Sequence, residues 1–237
     1  MKYKKIILGV ALALACFSSL NANALTETKV KKTETQAAAP NVYWTDGYGR
    51  VSYTTTSIIS PVVKIALKEF AGDMKAVTGF DAKEKSGAPI QIYQLDQLTN
   101  KEFSAVEKLG APLHLIITAK DAFYIGTRKG KLIVIGSNAR GTAYAIMKLS
   151  ELAGVSPLAA WNDLQPAQRK SLYTPVDQQW IEVPRIEFRG LALNNSQWMK
   201  PQNYSRIARL MLRLRANTLW QVDGRHEAAY NKAVVDS

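Results

Sequence analysis

The sequence predicts an α/β protein: a layered α/β segment followed by the first strand–helix–strand unit of a parallel sheet. Apolar runs of strand length alternate with helical periodicity between residues 42 and 175. A polar segment bounded by prolines, Pro166 to Pro184, then leads into residues 184–237, which resume with strand, helix and strand. The chain has 237 residues, 47% of them hydrophobic, which is enough for one large domain or two small ones.

Turn and capping residues bound the elements of the leading segment. Asp46-Gly47 predicts a hairpin-like turn between short strands at 42–44 and 51–54. Helices are predicted from Ser60-Pro61 to Gly79, over 97–109 before Gly110, and over 140–153 before Gly154. The remaining strands are predicted at 90–95, 113–118, 122–126 and 131–135.

The later unit begins with an apolar run of strand length, Ile186–Leu193. Pro201 suits the first residue of a helix, because its missing N–H would have no partner there. After a left-handed stop at Asn217, a second strand is predicted over 218–222. Strands joined by a crossover helix run parallel. Enzymes built this way place their chemistry at the carboxyl ends of the strands, so we expect the functional site there.

The helix of this unit is predicted to be amphipathic. Apolar residues at three- and four-residue spacing share one face: Tyr204, Ile207, Ala208, Met211 and Leu214. Arginines occupy the opposite face, which we interpret as solvated: Arg206, Arg209 and Arg213.

The formal net charge of +12 indicates a basic protein, whose partner could be a nucleic acid, an anionic surface or an acidic substrate. No basic stretch is interleaved with aromatic residues, so nucleic acid is not the expected partner. His114 lies in a predicted strand and is interpreted as a hydrogen-bonded core residue. No group of His, Cys, Asp and Glu has metal-ligand spacing, so no bound metal is expected.

Residues 1–24 have the pattern of a signal peptide, with early lysines, a short apolar run and the cleavage site Ala22-Asn23-Ala24. Cys16, the only cysteine, also lies in a lipoprotein-like sequence, so lipidation is the alternative to cleavage. Both routes predict a periplasmic, secreted or surface protein, and only the second attaches it to a membrane. Residues 25–41 are polar and without periodicity, which is typical of a disordered leader.

Three blocks at the end of the chain, FRGLALNN, LMLRLRANTLW and KAVVDS, resemble the opening of the catalytic barrel in glycoside hydrolase family 115, the xylan α-1,2-glucuronidases. Upstream, IVIGSNARGTAYAIMKLSELAGVSPLAAWNDLQP resembles that family's smaller leading domain, which is similar to domain 2 of hexosaminidases. The resemblance covers most of residues 42–237.

This resemblance implies a hexosaminidase domain 2-like α/β domain over 42–175, a linker over 176–183 and the first βαβ unit of a truncated (β/α)8 barrel over 184–237. Such a barrel takes about 250 residues, so the sequence is interpreted as the front end of a longer enzyme. The implied activity is release of (4-O-methyl)glucuronic acid side chains from xylan by inversion, with no cofactor. The implied partner is a polysaccharide or oligosaccharide that bears uronic acid.

Two alternatives remain open at this point. One is a related glycosidase of altered specificity, and the other is a non-catalytic carbohydrate-binding or surface protein. Sequence encoding a continued barrel with carboxylates at its strand ends would distinguish an enzyme from a binding protein.

Glycoside hydrolysis normally needs two carboxyl groups, one as acid and one as base or nucleophile. Near the carboxyl ends of the predicted strands, Asp223 is the candidate, with Glu227 beyond it. Glu187 lies at the amino end of its strand and is interpreted as structural. The remaining catalytic residues are expected beyond Ser237.

The family pattern Asn-Asp-Glu at the end of the first strand corresponds here to Asn194, Asn195 and Ser196. A sugar-hydroxyl contact therefore carries over to Asn194. Asn195 replaces the acid, so it is assigned substrate binding and not proton transfer. Trp220 and His226 complete the candidate substrate contacts, with a core position as the alternative for Trp220.

Two further segments are interpreted as structural. Gly136–Gly141 has the glycine spacing of a phosphate loop, but Thr142 stands where that loop needs lysine, so a tight strand-to-helix turn is predicted. Ser156–Asp163 corresponds to an aromatic-rich segment of the family and retains only Trp161, which is expected to pack between the two parts of the chain.

Overall fold

The computed structural model describes residues 40–162, 164–193 and 201–221. The strands are β1 (Asn41–Tyr43), β2 (Ser52–Thr55), β3 (Lys83–Glu84), β4 (Ile90–Gln94), β5 (Phe123–Arg128), β6 (Lys131–Gly136), β7 (Tyr173–Pro175), β8 (Gln179–Glu182), β9 (Gly190–Leu193) and β10 (Thr218–Gln221). The helices are α1 (Pro61–Thr78), α2 (Asn100–Glu107), α3 (Ala139–Leu152), α4 (Ala159–Asn162) and α5 (Pro201–Arg213). Within these ranges no helix has the length and apolar character needed to cross a membrane.

Six strands form a mixed sheet in the order β3-β2-β4-β6-β5-β8, which confirms the predicted α/β class. The neighbours β3, β2, β4 and β6 run parallel, whereas β5 runs antiparallel to β6 and to β8. The β5–β6 hairpin turns at Lys129 and Gly130, which both have positive φ angles. This is the backbone that a tight hairpin turn requires.

Both faces of this sheet are buried. Phe123 and Ile125 of β5 belong to the larger apolar cluster, which α1 and α3 complete on one face. Tyr124, between them, belongs to a second cluster on the other face with Val106 of α2. The alternation along β5 follows from the two-residue period of a strand, and burial on both faces explains the nearly continuous apolar runs of β5 and β6.

The predicted boundaries of α1 and α3 are confirmed to within one residue, whereas α2 is shorter than the predicted 97–109, because Thr99 caps its start. Pro61 occupies the first turn of α1, and Gly79 ends the helix with φ +86°. Asn138 caps α3, its side-chain oxygen accepting a hydrogen bond from the Gly141 N–H at 2.8 Å. The segment from Gly136 to Gly141 is therefore the tight strand-to-helix turn that the sequence predicted.

The strand predicted over residues 113–118 is wrong, because this segment forms a 3₁₀ turn at Leu113–Leu115 followed by further turns. Its N–H groups are satisfied locally, as in the bond from Leu115 N to Pro112 O at 3.1 Å. Only Ile116 is fully buried, and it anchors the loop on the second cluster. His114 is exposed, so its interpretation as a core residue is also wrong.

The predicted turn after β1 is present, with Thr45 and Val51 forming an antiparallel bridge. Asp46 stabilises it by accepting hydrogen bonds from the N–H groups of Tyr48 and Arg50 at 3.0 and 2.9 Å. The two flanking strands nevertheless pair elsewhere. β1 pairs antiparallel with β7, and β2 enters the six-stranded sheet.

Residues 176–183, which we predicted as a linker, contain β8 at the edge of the six-stranded sheet. Trp180 lies opposite Ile125 of β5 and packs against the larger cluster. Its neighbour Ile181 packs against the second cluster, so the segment buries apolar side chains on both faces of the sheet, as a strand does and a linker does not. The domain boundaries given above stay predictions.

β9 and β10 pair parallel, with Gly190 opposite Thr218 and Leu193 opposite Gln221, as the strand–helix–strand pattern predicted. β9 is shorter than expected. The carbonyl of Arg189 accepts hydrogen bonds from Asn217 N and Thr218 N at 2.7 and 3.0 Å. The left-handed stop after α5 is Arg215, with φ +59°, and not Asn217.

The interpretation of the arginine face of α5 as solvated is wrong for Arg213. This residue is only 9% exposed and forms salt bridges with Asp73 and Glu69 of α1. Arg206 lies over the ring of Trp161, 4.7 Å from its centroid. Basic side chains therefore join α5 to the leading segment, Arg213 through carboxylates of α1 and Arg206 through Trp161.

Candidate functional site

The carboxyl ends of β9 and β10 are the strand ends at which the sequence predicts the functional site. The structure describes these strands up to Leu193 and Gln221. The predicted site residues that follow lie outside the described residues: Asn194, Asn195, Asp223 and His226, together with Glu227. The described part of the site is thus the pair of strands and the face they present.

Side chains of the two strands alternate between two faces. Leu193 of β9 and Leu219 of β10 pack against the apolar side of α5, in a cluster built on Tyr204 and Ile207. Trp220 follows Leu219 and therefore points to the opposite face, where it is 68% exposed.

Trp220 is paired in register with Ala192, which is also exposed. A small residue beside the indole leaves the ring face open. Trp220 is followed in β10 only by Gln221, so it lies close to the carboxyl edge. Over the described residues its indole is open, and it offers an apolar ring and one N–H donor.

The amino ends of the same strands are held by Asp121, a residue that no sequence pattern singled out. Its side chain is 2% exposed. It accepts hydrogen bonds from Arg140 Nε at 2.9 Å, Asn138 Nδ2 at 3.1 Å, Asn217 Nδ2 at 3.1 Å and Arg189 Nη2 at 3.3 Å. Arg140 and Asn138 belong to the leading segment, whereas Arg189 and Asn217 flank β9 and β10. One carboxylate therefore joins the two parts of the chain.

Burial by itself would raise the pKa of Asp121. Hydrogen bonds from Arg140, Asn138 and Asn217 stabilise the charged form more strongly, and the pKa of Asp121 lies below its ordinary value. The group is ionised at neutral pH and fully occupied by donors, which suits a structural role and not proton transfer.

A cavity of about 810 Å³ adjoins Asp121 and has a charged rim. Lys120 and Glu187 form an exposed ion pair on this rim, with Nζ and Oε1 2.7 Å apart. Lys120 Nζ donates a hydrogen bond to the Glu187 carboxylate, and this bond raises the pKa of Lys120. The cavity lies at the amino ends of β9 and β10, so it is at the opposite end from the predicted site. The structural role predicted for Glu187 is consistent with this ion pair.

Trp161 packs against the α5 cluster and lies under Arg206, as expected for a residue between the two parts of the chain. Over the residues that the structure describes, no group of three or more His, Cys, Asp or Glu side chains is arranged to hold a metal ion.

No protein-family model matches the chain, and no curated protein matches it. A solved family GH115 4-O-methyl-α-glucuronidase, with specificity for decorated arabinogalactans, is similar in structure with a TM-score of 0.65 and 25% sequence identity. The similarity covers 80% of this chain and 28% of that one.

Two GH20 enzymes share the fold at lower identity. A Streptomyces plicatus β-hexosaminidase has a TM-score of 0.51 and 12% identity, over 77% of this chain and 32% of that chain. A Flavobacterium johnsoniae chitobiase has a TM-score of 0.50 and 15% identity, over 77% and 25% of the two chains.

The chain thus has an α/β fold that is shared with glycoside hydrolases. The resemblance to family 115 is confirmed by the glucuronidase, and the hexosaminidase-like character of the leading segment agrees with the GH20 enzymes. The chain spans 28% of the length of the glucuronidase, so only a part of that enzyme has a counterpart here.

Proposed function

We propose that the chain is part of an exported glycoside hydrolase that releases (4-O-methyl)glucuronic acid side chains from a plant polysaccharide. The observation that supports this most strongly is the structural similarity to the GH115 glucuronidase over 80% of the chain. Xylan is the substrate that the sequence resemblance implies. Decorated arabinogalactan, for which that glucuronidase is specific, is the second candidate.

The reactive site of the proposed enzyme lies at the carboxyl ends of β9 and β10. In a (β/α) barrel the face turned away from the helices is the interior, and the carboxyl ends of the strands carry the chemistry. Trp220 is on that face, opposite Ala192 and away from α5. Its exposed indole is suited to pack against the apolar C–H face of a sugar ring.

The residues that follow the two strands supply the polar contacts in this proposal. Asn194 and Asn195 offer amide donors and acceptors to sugar hydroxyls, and His226 offers an imidazole. Asp223 is the candidate carboxyl group. Its partner carboxylate, which hydrolysis needs, is expected from later strands of the barrel. The basic net charge of +12 is compatible with an anionic substrate such as a uronate but does not by itself select one.

Export is proposed from residues 1–24, with cleavage after Ala24 or lipidation of Cys16 as the two routes. Mass spectrometry of the protein from its native host distinguishes them. A mature chain that begins at Leu25 supports cleavage, and a diacylated Cys16 supports the lipoprotein route. An intact Met1 would contradict export by either route.

The proposed activity is tested by incubating the chain, extended by the sequence encoded downstream of Ser237, with glucuronoxylan and with glucuronic acid-decorated arabinogalactan. Released (4-O-methyl)glucuronic acid is measured by mass spectrometry. We expect release from at least one polymer by the extended protein and none by residues 1–237 alone. Absence of release from both polymers, together with release of another sugar, would assign the protein to a different glycosidase specificity.

A further inference from the structure

An exposed pair of tyrosines marks the small sheet of β1 and β7. Tyr43 and Tyr173 lie directly opposite each other across the two strands. Their ring centroids are 5.8 Å apart and the ring planes are inclined by 55°. The two residues are 53% and 54% exposed, so each ring is half open to solvent. Large aromatic side chains left open on one surface are typical of a binding surface.

The backbone beneath the pair is fixed from the inside. Trp44, which follows Tyr43, is buried, as are Leu172 and Thr174 on either side of Tyr173. Trp44 Nε1 donates a hydrogen bond to Thr174 Oγ1 at 2.9 Å, and Trp44 N donates to Leu172 O at 2.8 Å. Because side chains alternate along a strand, this inward packing holds both tyrosines on the outer surface.

A polar cavity of about 310 Å³ opens beside Tyr173. Exposed side chains of Arg169, Ser171 and Gln178 line it and offer both hydrogen-bond donors and acceptors. Arg169 is anchored through its backbone, since its N–H donates to the carbonyl of Val77 at 2.8 Å. Its guanidinium group is of the kind that binds a carboxylate through two parallel hydrogen bonds.

We propose that Tyr43, Tyr173 and this cavity form a glycan-binding site that is separate from the carboxyl ends of β9 and β10. A pyranose ring has an apolar C–H face and a rim of hydroxyl groups. The tyrosine rings contact the apolar face, while Ser171 and Gln178 bind hydroxyls. Arg169 pairs with the carboxylate of a uronic acid residue. The choice of a uronic acid-bearing glycan as ligand rests on the proposed function, but the site needs no catalysis.

The affinity of the chain for soluble glucuronoxylan, measured by affinity gel electrophoresis and calorimetry, tests the site. Replacing both tyrosines, Tyr43→Ala with Tyr173→Ala, is expected to lower the association constant at least about tenfold, because both aromatic contacts to the sugar are removed. Tyr48→Ala is the matched control, because Tyr48 is 86% exposed and lies outside the pair. The pair Tyr43→Phe with Tyr173→Phe keeps the rings and is expected to bind within about threefold of wild type.

Footprinting of the wild-type chain with hydroxyl radicals needs no variant. Glucuronoxylan is expected to protect Tyr43 and Tyr173 from modification and to leave Tyr48 unprotected. Arg169→Gln is expected to abolish any preference for glucuronoxylan over undecorated xylan, and an unchanged preference would contradict the assignment of the uronic acid. Equal binding by the double alanine variant, or no binding by wild type, would overturn the site.

Failure of this site and failure of the proposed function have different signatures. Loss of glycan binding in the tyrosine variants, with no uronic acid released by the extended protein, would leave the site standing and reject the glucuronidase. If the extended protein releases uronic acid while the tyrosine variants bind glycan as well as the wild type, the glucuronidase stands and the binding site is rejected.

Discussion

Arg213 of α5 binds Asp73 of α1 through two hydrogen bonds, Nη1 to Oδ2 at 2.8 Å and Nη2 to Oδ1 at 2.9 Å. The two side chains are only 11% and 12% exposed. Nη2 of Arg213 also lies 3.0 Å from Glu69 Oε2. Burial would lower the pKa of Arg213, but its bonds to Asp73 and Glu69 raise it, so the arginine stays charged. This ion pair attaches the helix between β9 and β10 to the leading segment.

Breaking this pair should destabilise the protein strongly. Arg213→Met leaves the Asp73 carboxylate buried without its partner, and such losses cost about 3–5 kcal/mol. Arg209→Met is the control, since Arg209 is 41% exposed and lies 3.4 Å from Glu69, so it should cost about 1 kcal/mol or less. Urea unfolding measures both free energies. Equal losses in the two variants would show that the ion pair has no special role.

Asp121 predicts a pH dependence of stability. Its pKa is lowered in the folded protein, so its contribution is fully present above the ordinary aspartate pKa of about 3.9 and is lost as pH falls through the folded pKa. Asp121→Asn should be less stable at pH 7 by about 1–3 kcal/mol, because hydrogen bonds to a charged group are lost. The difference from wild type should shrink in acid. A difference that stays constant from pH 7 to pH 3 would contradict this role.

Gly136 and Gly190 should not tolerate a side chain. A Cβ at Gly136 would collide with the backbone of Thr142, and one at Gly190 with the backbone of Thr218. Each Gly→Ala change should destabilise by about 1–3 kcal/mol or more. Gly72→Ala in α1 is the matched control, since nothing lies within 4 Å of its added Cβ. It should stabilise the helix by up to about 1 kcal/mol, as thermal unfolding can show.

The sequence was informative where local physical rules decide the structure. Pro61 and Gly79 bound α1 as predicted, and the apolar runs of β5 and β6 form buried strands. The strand predicted over residues 113–118 was wrong, because it was inferred only from the apolar residues of this segment. The structure satisfies its backbone locally and buries only Ile116 fully.

The contacts between distant parts of the chain could not be predicted. Arg213 lies on the helix face opposite the apolar residues, which the sequence pattern alone predicts to be solvated. Its partner Asp73 is 140 residues away in the sequence. Asp121 likewise accepts a hydrogen bond from Asn217, which lies 96 residues later in the sequence. For the candidate site, the sequence placed Trp220 in the second strand and left open whether it is a core residue or a substrate contact. The packing of Leu219 against α5 shows that Trp220 lies on the other face of the two strands.

The placement of the site at the carboxyl ends of β9 and β10 is tested most directly by the kcat/KM of the extended protein on aldouronic acids. The wild type is compared with Trp220→Ala, Asn194→Ala and Asn195→Asp. Lys120→Ala, at the amino ends of the strands, is the control. We expect Trp220→Ala and Asn194→Ala to lower kcat/KM at least about tenfold, since each loses a substrate contact. Asn195→Asp, which restores the family acid, should raise it by about 10²-fold or more, as a positioned proton-transfer group does. Lys120→Ala should leave it unchanged. Full activity in both Trp220→Ala and Asn194→Ala would contradict the placement of the site at the carboxyl ends of β9 and β10.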